Sequence, residues 1–107
     1  MVETSNNFAK EGITFGSSKH FEHADLLKSL KDSYPNLTRI SLVDVIKHEN
    51  GSYSAIVGVE TQSATGIFGN GQGTTAEDAI RTGFNIAVNR LKAPGQERFQ
   101  LDDPSRP

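Results

Sequence analysis

The residues with the clearest chemical potential lie between positions 69 and 75. This segment consists of Gly69, Asn70, Gly71, Gln72, Gly73, Thr74 and Thr75. Glycines let a backbone take positive φ angles and approach a ligand closely. A glycine turn at a helix N-terminus also directs free N–H groups at an anion. The segment therefore predicts a loop that holds a small anionic ligand or receives a partner's backbone.

Two carboxylates follow this segment and oppose an anion there. Thr74 and Glu77 have the spacing of a capping box, and Glu77 and Asp78 complement the positive end of a helix dipole. Adjacent helical residues point in different directions, so the two carboxylates do not form a catalytic pair. We interpret both as cap and dipole partners.

Other catalytic or metal-binding arrangements find little support. Cysteine is absent, which excludes disulfides, thiolate catalysis and zinc–thiolate sites. The glycines lack the Lys-Ser/Thr ending of a P-loop and the spacing of a dinucleotide fingerprint. His20, Glu22, His23 and Asp25 fit a solvated helical turn, and no third histidine is near enough to complete a metal site. We expect a non-enzyme with no cofactor and no metal.

Composition limits the partners. The 107 residues allow one domain, and a formal net charge of −2 with a pI near 5.9 gives no global attraction to nucleic acid. No apolar run approaches the roughly 20 residues of a membrane span, and no signal-peptide core follows Met1. We expect a cytoplasmic protein that does not span a membrane.

Apolar periodicity predicts the elements that would position these residues. Apolar residues recur at helical spacing over 20–33, between a serine cap at Ser17 or Ser18 and Pro35. Strands are predicted over 38–47, from Tyr53 onward and over 64–68, with a hairpin turn at Asn50-Gly51 and a last helix over 75–92.

This order predicts an α+β fold, α-β-β-β-α, in which a three-stranded antiparallel sheet has two helices packed on one face. Ile13-Thr14-Phe15 is a candidate short pairing segment before Gly16. The domain is expected to span 13–92. Polar residues 1–12 and proline-rich residues 93–107 are expected to be disordered tails.

The element order, the alternating glycines and a last helix with Ala79, Gly83 and Ala87 resemble the double-stranded RNA-binding domain family over residues 21–92. The resemblance implies duplex-RNA contacts, namely Lys47, His48, Arg81 and Arg90. The lysine pair with which that family clamps RNA would fall near Ala76 and Glu77, and a glutamate repels phosphate. We therefore expect weak or absent binding to duplex RNA.

A second resemblance covers residues 38–92. Gly71-Gln72-Gly73 leading into Ile86–Leu91 is similar to the regulatory domain of 2-isopropylmalate synthases, which binds an amino-acid effector at a subunit interface. This resemblance implies a regulatory domain that holds a small anionic ligand at the glycine loop of a dimer.

The predicted architecture leaves one sheet face without helices. Depending on register, that face would carry Ile56, either Val43 or Leu42, and Ile67. Apolar residues exposed together form a patch suited to association. We expect a non-catalytic interaction module that forms a homo-oligomer or binds another protein, with Ile56 in the interface.

Overall fold

The computed structural model describes Phe8 and residues 10–92, which form a four-stranded sheet with helices. In chain order the elements are β1 (Ile13–Phe15), a 3-10 helix (Ser18–His23), α1 (Ala24–Asp32), β2 (Arg39–Lys47), β3 (Tyr53–Glu60), β4 (Ile67–Gly73) and α2 (Ala76–Lys92). The strand order is β1-β2-β3-β4. β1 runs parallel to β2, and the other neighbours are antiparallel. The α+β class is confirmed, but the predicted three-stranded antiparallel sheet is wrong.

The additional strand, β1, explains that difference. Its three residues pair with the first part of β2, with Ile13 opposite Ile40 and Phe15 opposite Leu42. Ile13 is 1% exposed, so this strand is held by core packing as well as by its few hydrogen bonds. The 3-10 helix and α1 form the crossover that a parallel connection requires.

The predicted first helix is divided into two parts. The side chain of Ser17 accepts a hydrogen bond from the backbone N–H of Lys19 at 3.3 Å and caps the 3-10 helix. The regular helix begins only at Ala24 and ends at Asp32, shortly before Pro35. Leu27 is its fully buried residue.

The hairpin between β2 and β3 lies where the sequence predicts it. Gly51 has φ +93°, and the side-chain oxygen of Asn50 accepts from the N–H of Ser52 at 2.9 Å. The register shifts between Leu42 and Asp44, where β2 contains a bulge.

The glycine-rich segment is a strand and not a loop. β4 occupies Ile67–Gly73, where the sequence predicts that the strand ends at Phe68. Gly69, Gly71 and Gly73 pair with alternate residues of β3. None of them has a positive φ; the described residues with positive φ are Gly12, Gly51 and Gly66. The predicted loop is therefore wrong, because these glycines serve a purpose other than turning the chain.

One apolar core lies between the helices and one face of the sheet. Helical spacing in the sequence predicts an apolar stripe on α2 that consists of Ile80, Phe84, Ala87, Val88 and Leu91; the first four are buried, as predicted, and Leu91 is half-buried. The buried members of the core are Phe8, Ile13, Leu27, Leu37, Ile40, Leu42, Ala55, Val57, Val59, Ala79, Ile80, Phe84, Ala87 and Val88. Alternate strand residues point to the opposite face of the sheet, on which none of the described helices lies; we call it the helix-free face.

Phe8 falls within the segment interpreted as an N-terminal tail, yet its side chain is 7% exposed. Its ring lies 5.0 Å from that of Phe15 and 4.9 Å from that of Phe21, between centroids. Residues 10–12 of the same segment are described as well, and the carbonyl oxygen of Gly12 accepts from the N–H of Ile40 at 2.8 Å. Residues 1–7, 9 and 93–107 of the two predicted tails lie outside the described residues.

Candidate functional site

The three glycines of β4 lie directly beneath the backbone of α2. An added Cβ at Gly71 would lie 2.1 Å from the backbone nitrogen of Gly83 and 2.5 Å from the carbonyl oxygen of Ala79. An added Cβ at Gly69 would lie 2.1 Å from the carbonyl oxygen of Gly83. Such distances leave no room for a side chain. The helix itself occupies the space where the sequence predicts a ligand.

These contacts define how α2 runs along β4. Gly73 faces the first turn of the helix at Asp78, and Gly69 faces its second half at Ala87. The helix therefore runs antiparallel to the strand. At Gly83, an added Cβ would lie 3.1 Å from the carbonyl oxygens of both Ala55 on β3 and Gly69 on β4. The helix thus lies over β4 and reaches β3 on the side away from the outer edge of β4.

One flank of α2 points beyond that edge. At about 100° per residue, Thr82, Ile86 and Asn89 lie on the side opposite the core-facing Ile80 and Phe84. Thr82 and Asn89 are exposed and Ile86 is half-buried. The carbon Cβ of Ile86 would be 3.0 Å from an added Cβ at Gly69, which places this flank next to β4.

We name the β4 edge together with this flank the edge surface. It consists of Phe68, Asn70, Gln72, Thr82, Ile86 and Asn89 with the outer backbone of β4. Residues 61–76 contain no charged side chain. Within Phe8 and residues 10–92, β4 has no strand partner on its outer side. It also lacks the bulge, proline or charged residue that commonly protects an edge strand.

The helix-free face of the sheet carries a short apolar stripe among polar residues. Phe68 lies opposite Gly58, and its ring would be 2.7 Å from a Cβ added there. Phe68 is 47% exposed and Ile46 is 43% exposed. Ile56 lies between Asp44 and Asn70 and is half-buried. The predicted interface residue is on the helix-free face, but polar neighbours interrupt the stripe.

The strand register determines which of the other predicted apolar residues lie on the helix-free face. Val43 is exposed, at 39%, whereas Leu42 is fully buried in the core. Ile67 pairs with Val59 and shares its core-facing side. At one end of the face, Arg39 donates to the hydroxyl of Thr14 at 2.8 Å.

The cap of α2 is displaced by one residue from its predicted position. The hydroxyl oxygen of Thr75 accepts from the N–H of Asp78 at 3.0 Å, so Thr75 is the N-cap and the helix begins at Ala76. Glu77 instead pairs with Arg81 at 2.9 Å, one helical turn later. Both carboxylates stay at the positive end of the helix, where they oppose an anion.

The four predicted RNA contacts are distributed over the end of β2, the turn that follows it and α2. Lys47 lies over the ring of Tyr53, with its nitrogen 5.9 Å from the centroid. The Nε2 of His48 lies 2.6 Å from the hydroxyl of Ser54. Arg81 lies in the first half of α2, and Arg90 is nine residues later, about 13 Å farther along the helix.

His20 differs from the predicted solvated turn. It is 4% exposed, and its Nε2 lies 3.5 Å from a carboxylate oxygen of Asp44 at the β2 bulge. Among the described residues, no group of three or more His, Asp or Glu side chains could hold a metal ion. Nor does any helix of this part combine the length and apolar character needed to cross a membrane.

A groove of about 650 Å³, not predicted from the sequence, lies at the C-terminal end of α2. Leu37, Val88 and Leu91 contribute apolar surface, and Lys92 is the charged residue of its lining. The nitrogen of Lys92 sits 5.5 Å from the ring centroid of Tyr34. The lining contains no carboxylate or histidine that could act as a general acid or base.

Comparison with protein-family models, curated proteins and solved structures found no match to this chain. The resemblances to the double-stranded RNA-binding domain and to the synthase regulatory domain therefore stay predictions. The geometry of the edge surface is the basis for a functional assignment.

Proposed function

We propose that this chain is a non-catalytic interaction module that self-associates through the edge surface. The observation that carries the proposal is the outer edge of β4, a seven-residue strand that has no charged residue and, within the described part of the chain, no strand partner on that side. Unpaired backbone N–H and C=O groups along such an edge are a ready template for another strand. A second strand paired with this edge would form hydrogen bonds with these groups, and no like charges would lie opposite one another.

The other two predicted activities have less support. A small anionic ligand at Gly69–Gly73 would have to displace α2, whose backbone lies against these glycines. Duplex RNA would meet Glu77 and Asp78 at the helix N-terminus, and Glu77 already compensates Arg81. We expect weak or absent RNA binding at physiological salt, with a shallow salt dependence that reflects few phosphate contacts.

The test is the solution mass of the full chain between about 1 µM and about 1 mM, the range in which a small interface forms. We expect the mass to rise from monomer to dimer. Asn70→Lys introduces a charge at the middle of the edge and should keep the protein monomeric. Ile46→Lys introduces the same charge at an exposed position on β2 and should leave the dimer intact.

Ile56→Glu distinguishes the edge from the helix-free face. If the edge surface is the contact, this variant should dimerise like the unmodified chain. A chain that stays monomeric over the whole concentration range would refute self-association. A dimer that Ile56→Glu abolishes and Asn70→Lys preserves would move the contact to the helix-free face.

A further inference from the structure

We infer that the partner is a second copy of this chain, paired antiparallel along β4 about a two-fold axis that passes Asn70. This inference rests on the proposed function and specifies its geometry. It joins the two sheets into one of eight strands and places the two α2 helices side by side. Both layers of the edge surface therefore take part.

The strand fixes the register of the pairing. β4 has seven residues, and Asn70 is the middle one. An antiparallel pairing centred there uses every residue, with Asn70 opposite the partner's Asn70 and Phe68 opposite the partner's Gln72. Any shift of register leaves residues unpaired at both ends. The uncharged sequence of β4 creates no repulsion in this arrangement.

The position of α2 makes room for a second helix. Paired strands lie about 4.8 Å apart, whereas packed helices need about 8–10 Å between axes. Each helix axis must therefore lie about 1.6–2.6 Å inward of its own β4 strand. Gly83 lies close to both Ala55 on β3 and Gly69 on β4, so α2 extends from β4 toward β3, the direction that this spacing requires.

The helix flank is also self-complementary. Gly83 lies above the middle of β4, so the axis passes close to the middle of α2. Thr82 then faces the partner's Ile86, and the half-buried Ile86 becomes covered. Near the ends of the contact, Asn89 faces the partner's Asp78, an amide opposite a carboxylate. No pair of like charges meets.

The size of the contact sets the expected affinity. A seven-residue strand is about 23 Å long, and one sheet layer plus one helix layer is about 15 Å high. This gives roughly 350 Å² per copy, well below the roughly 800 Å² of a standard interface. Main-chain hydrogen bonds add to it, and we expect a dissociation constant in the micromolar range.

The absence of cysteine from the chain allows a direct test of the register. Asn70→Cys places two thiols on directly opposed residues, within the Cα separation that a disulfide spans. Mild oxidation should convert this variant to a covalent dimer. Gln72→Cys is the matched control, because its thiols would be separated by four residues of strand, about 13 Å, and should not cross-link.

A second pair of variants tests the helix layer. Ile86→Asp brings two negative charges close to the axis and should raise the dissociation constant about tenfold or more. Asn85→Asp makes the same charge change at the neighbouring exposed residue, which points away from β4, and should change it less than about twofold.

The results separate the inference from the proposed function. If the chain is a dimer by mass but Gln72→Cys cross-links and Asn70→Cys does not, the proposed register is wrong. Self-association itself would still hold in that case. A dimer indifferent to Ile86→Asp would overturn the pairing of the helices. A protein that is monomeric up to about 1 mM would defeat the proposed function as well.

Discussion

The two outer strands of the sheet, β1 and β4, are packed in opposite ways. On the β1 side, the rings of Phe8, Phe15 and Phe21 fill the space, with centroids 4.9 to 5.0 Å apart. On the β4 side, three glycines remove side chains so that the backbone of α2 can touch the strand. Large side chains can rotate and so accommodate a substitution nearby. A backbone contact does not, so the β4 side is expected to be the more sensitive of the two.

The outer strands differ in the same way. β1 pairs only with residues 40–42, so the rest of β2 forms an edge of its own. That edge contains the bulge at Leu42/Asp44, a carboxylate and Lys47, which discourage pairing with another chain. β4 has none of these features. β4 therefore combines glycines that let α2 approach on one face with the uncharged residues Phe68, Asn70 and Gln72 on the other.

The largest effect is expected from a side chain at the helix–strand contact. Gly71→Val would place its Cβ 2.1 Å from the backbone nitrogen of Gly83 and force α2 away from the sheet. We expect a loss of about 3 kcal/mol or more in the free energy of unfolding, enough to prevent folding of a marginal domain. Denaturant unfolding followed by circular dichroism measures it.

Gly51→Val is the matched control for that substitution. Gly51 has φ +93° and no atom within 4 Å of an added Cβ, so only backbone strain opposes the side chain. We expect a cost of about 1–2 kcal/mol. If Gly71→Val were no more destabilising than Gly51→Val, the close contact between α2 and β4 would not exist.

A smaller effect is expected on the β1 side. Phe15→Ala removes one ring of the aromatic cluster, and neighbouring rings can partly collapse into the space. Because Phe15 is only half-buried, we expect a loss of about 2–3 kcal/mol. Thermal unfolding measures it, and dimerisation should be unaffected because β1 lies at the opposite edge of the sheet.

Phe68→Ala provides the contrast for that variant. The ring is 47% exposed and covers Gly58 on the helix-free face, so its removal should cost no more than about 1 kcal/mol. A larger loss from Phe68→Ala than from Phe15→Ala would show that the exposed ring carries more stability than the buried cluster.

Local sequence patterns predicted the elements that depend on local physics. The α2 stripe, the hairpin at Asn50-Gly51 and the cap at Ser17 follow from helical period, turn chemistry and capping. β1 was predicted only as a candidate pairing segment, because three residues carry too little pattern to define a strand alone.

The candidate site shows where local patterns are insufficient. Alternating glycines occur both in loops and in strands covered by a helix, because both situations favour residues without a side chain. The local sequence therefore does not distinguish the two. Only the approach of Gly83 and Ala79 distinguishes the two, and that contact depends on tertiary packing. The spacing of Ala79, Gly83 and Ala87 does predict a helix that lies close against a sheet, and this contact is confirmed, but the spacing does not indicate which strand lies beneath the helix. The edge surface then follows from the topology, which places β4 last in the sheet.

The smallest effect concerns the start of α2, where Thr74 and Thr75 compete as the cap. Thr75→Ala removes the hydroxyl that accepts from the N–H of Asp78, and we expect it to cost about 1 kcal/mol. The hydroxyl of Thr74 makes only a 3.4 Å contact with the carboxylate of Asp78, so Thr74→Ala should cost a few tenths of a kcal/mol. Chemical denaturation of the two variants side by side measures the difference. Equal losses in the free energy of unfolding would mean that both hydroxyls cap the helix. A larger loss for Thr74→Ala would support the capping box of Thr74 and Glu77 that the sequence predicts. The start of α2 directly follows β4, so a frayed first turn would also loosen the helix over Gly73 and weaken the contact on which the edge surface depends.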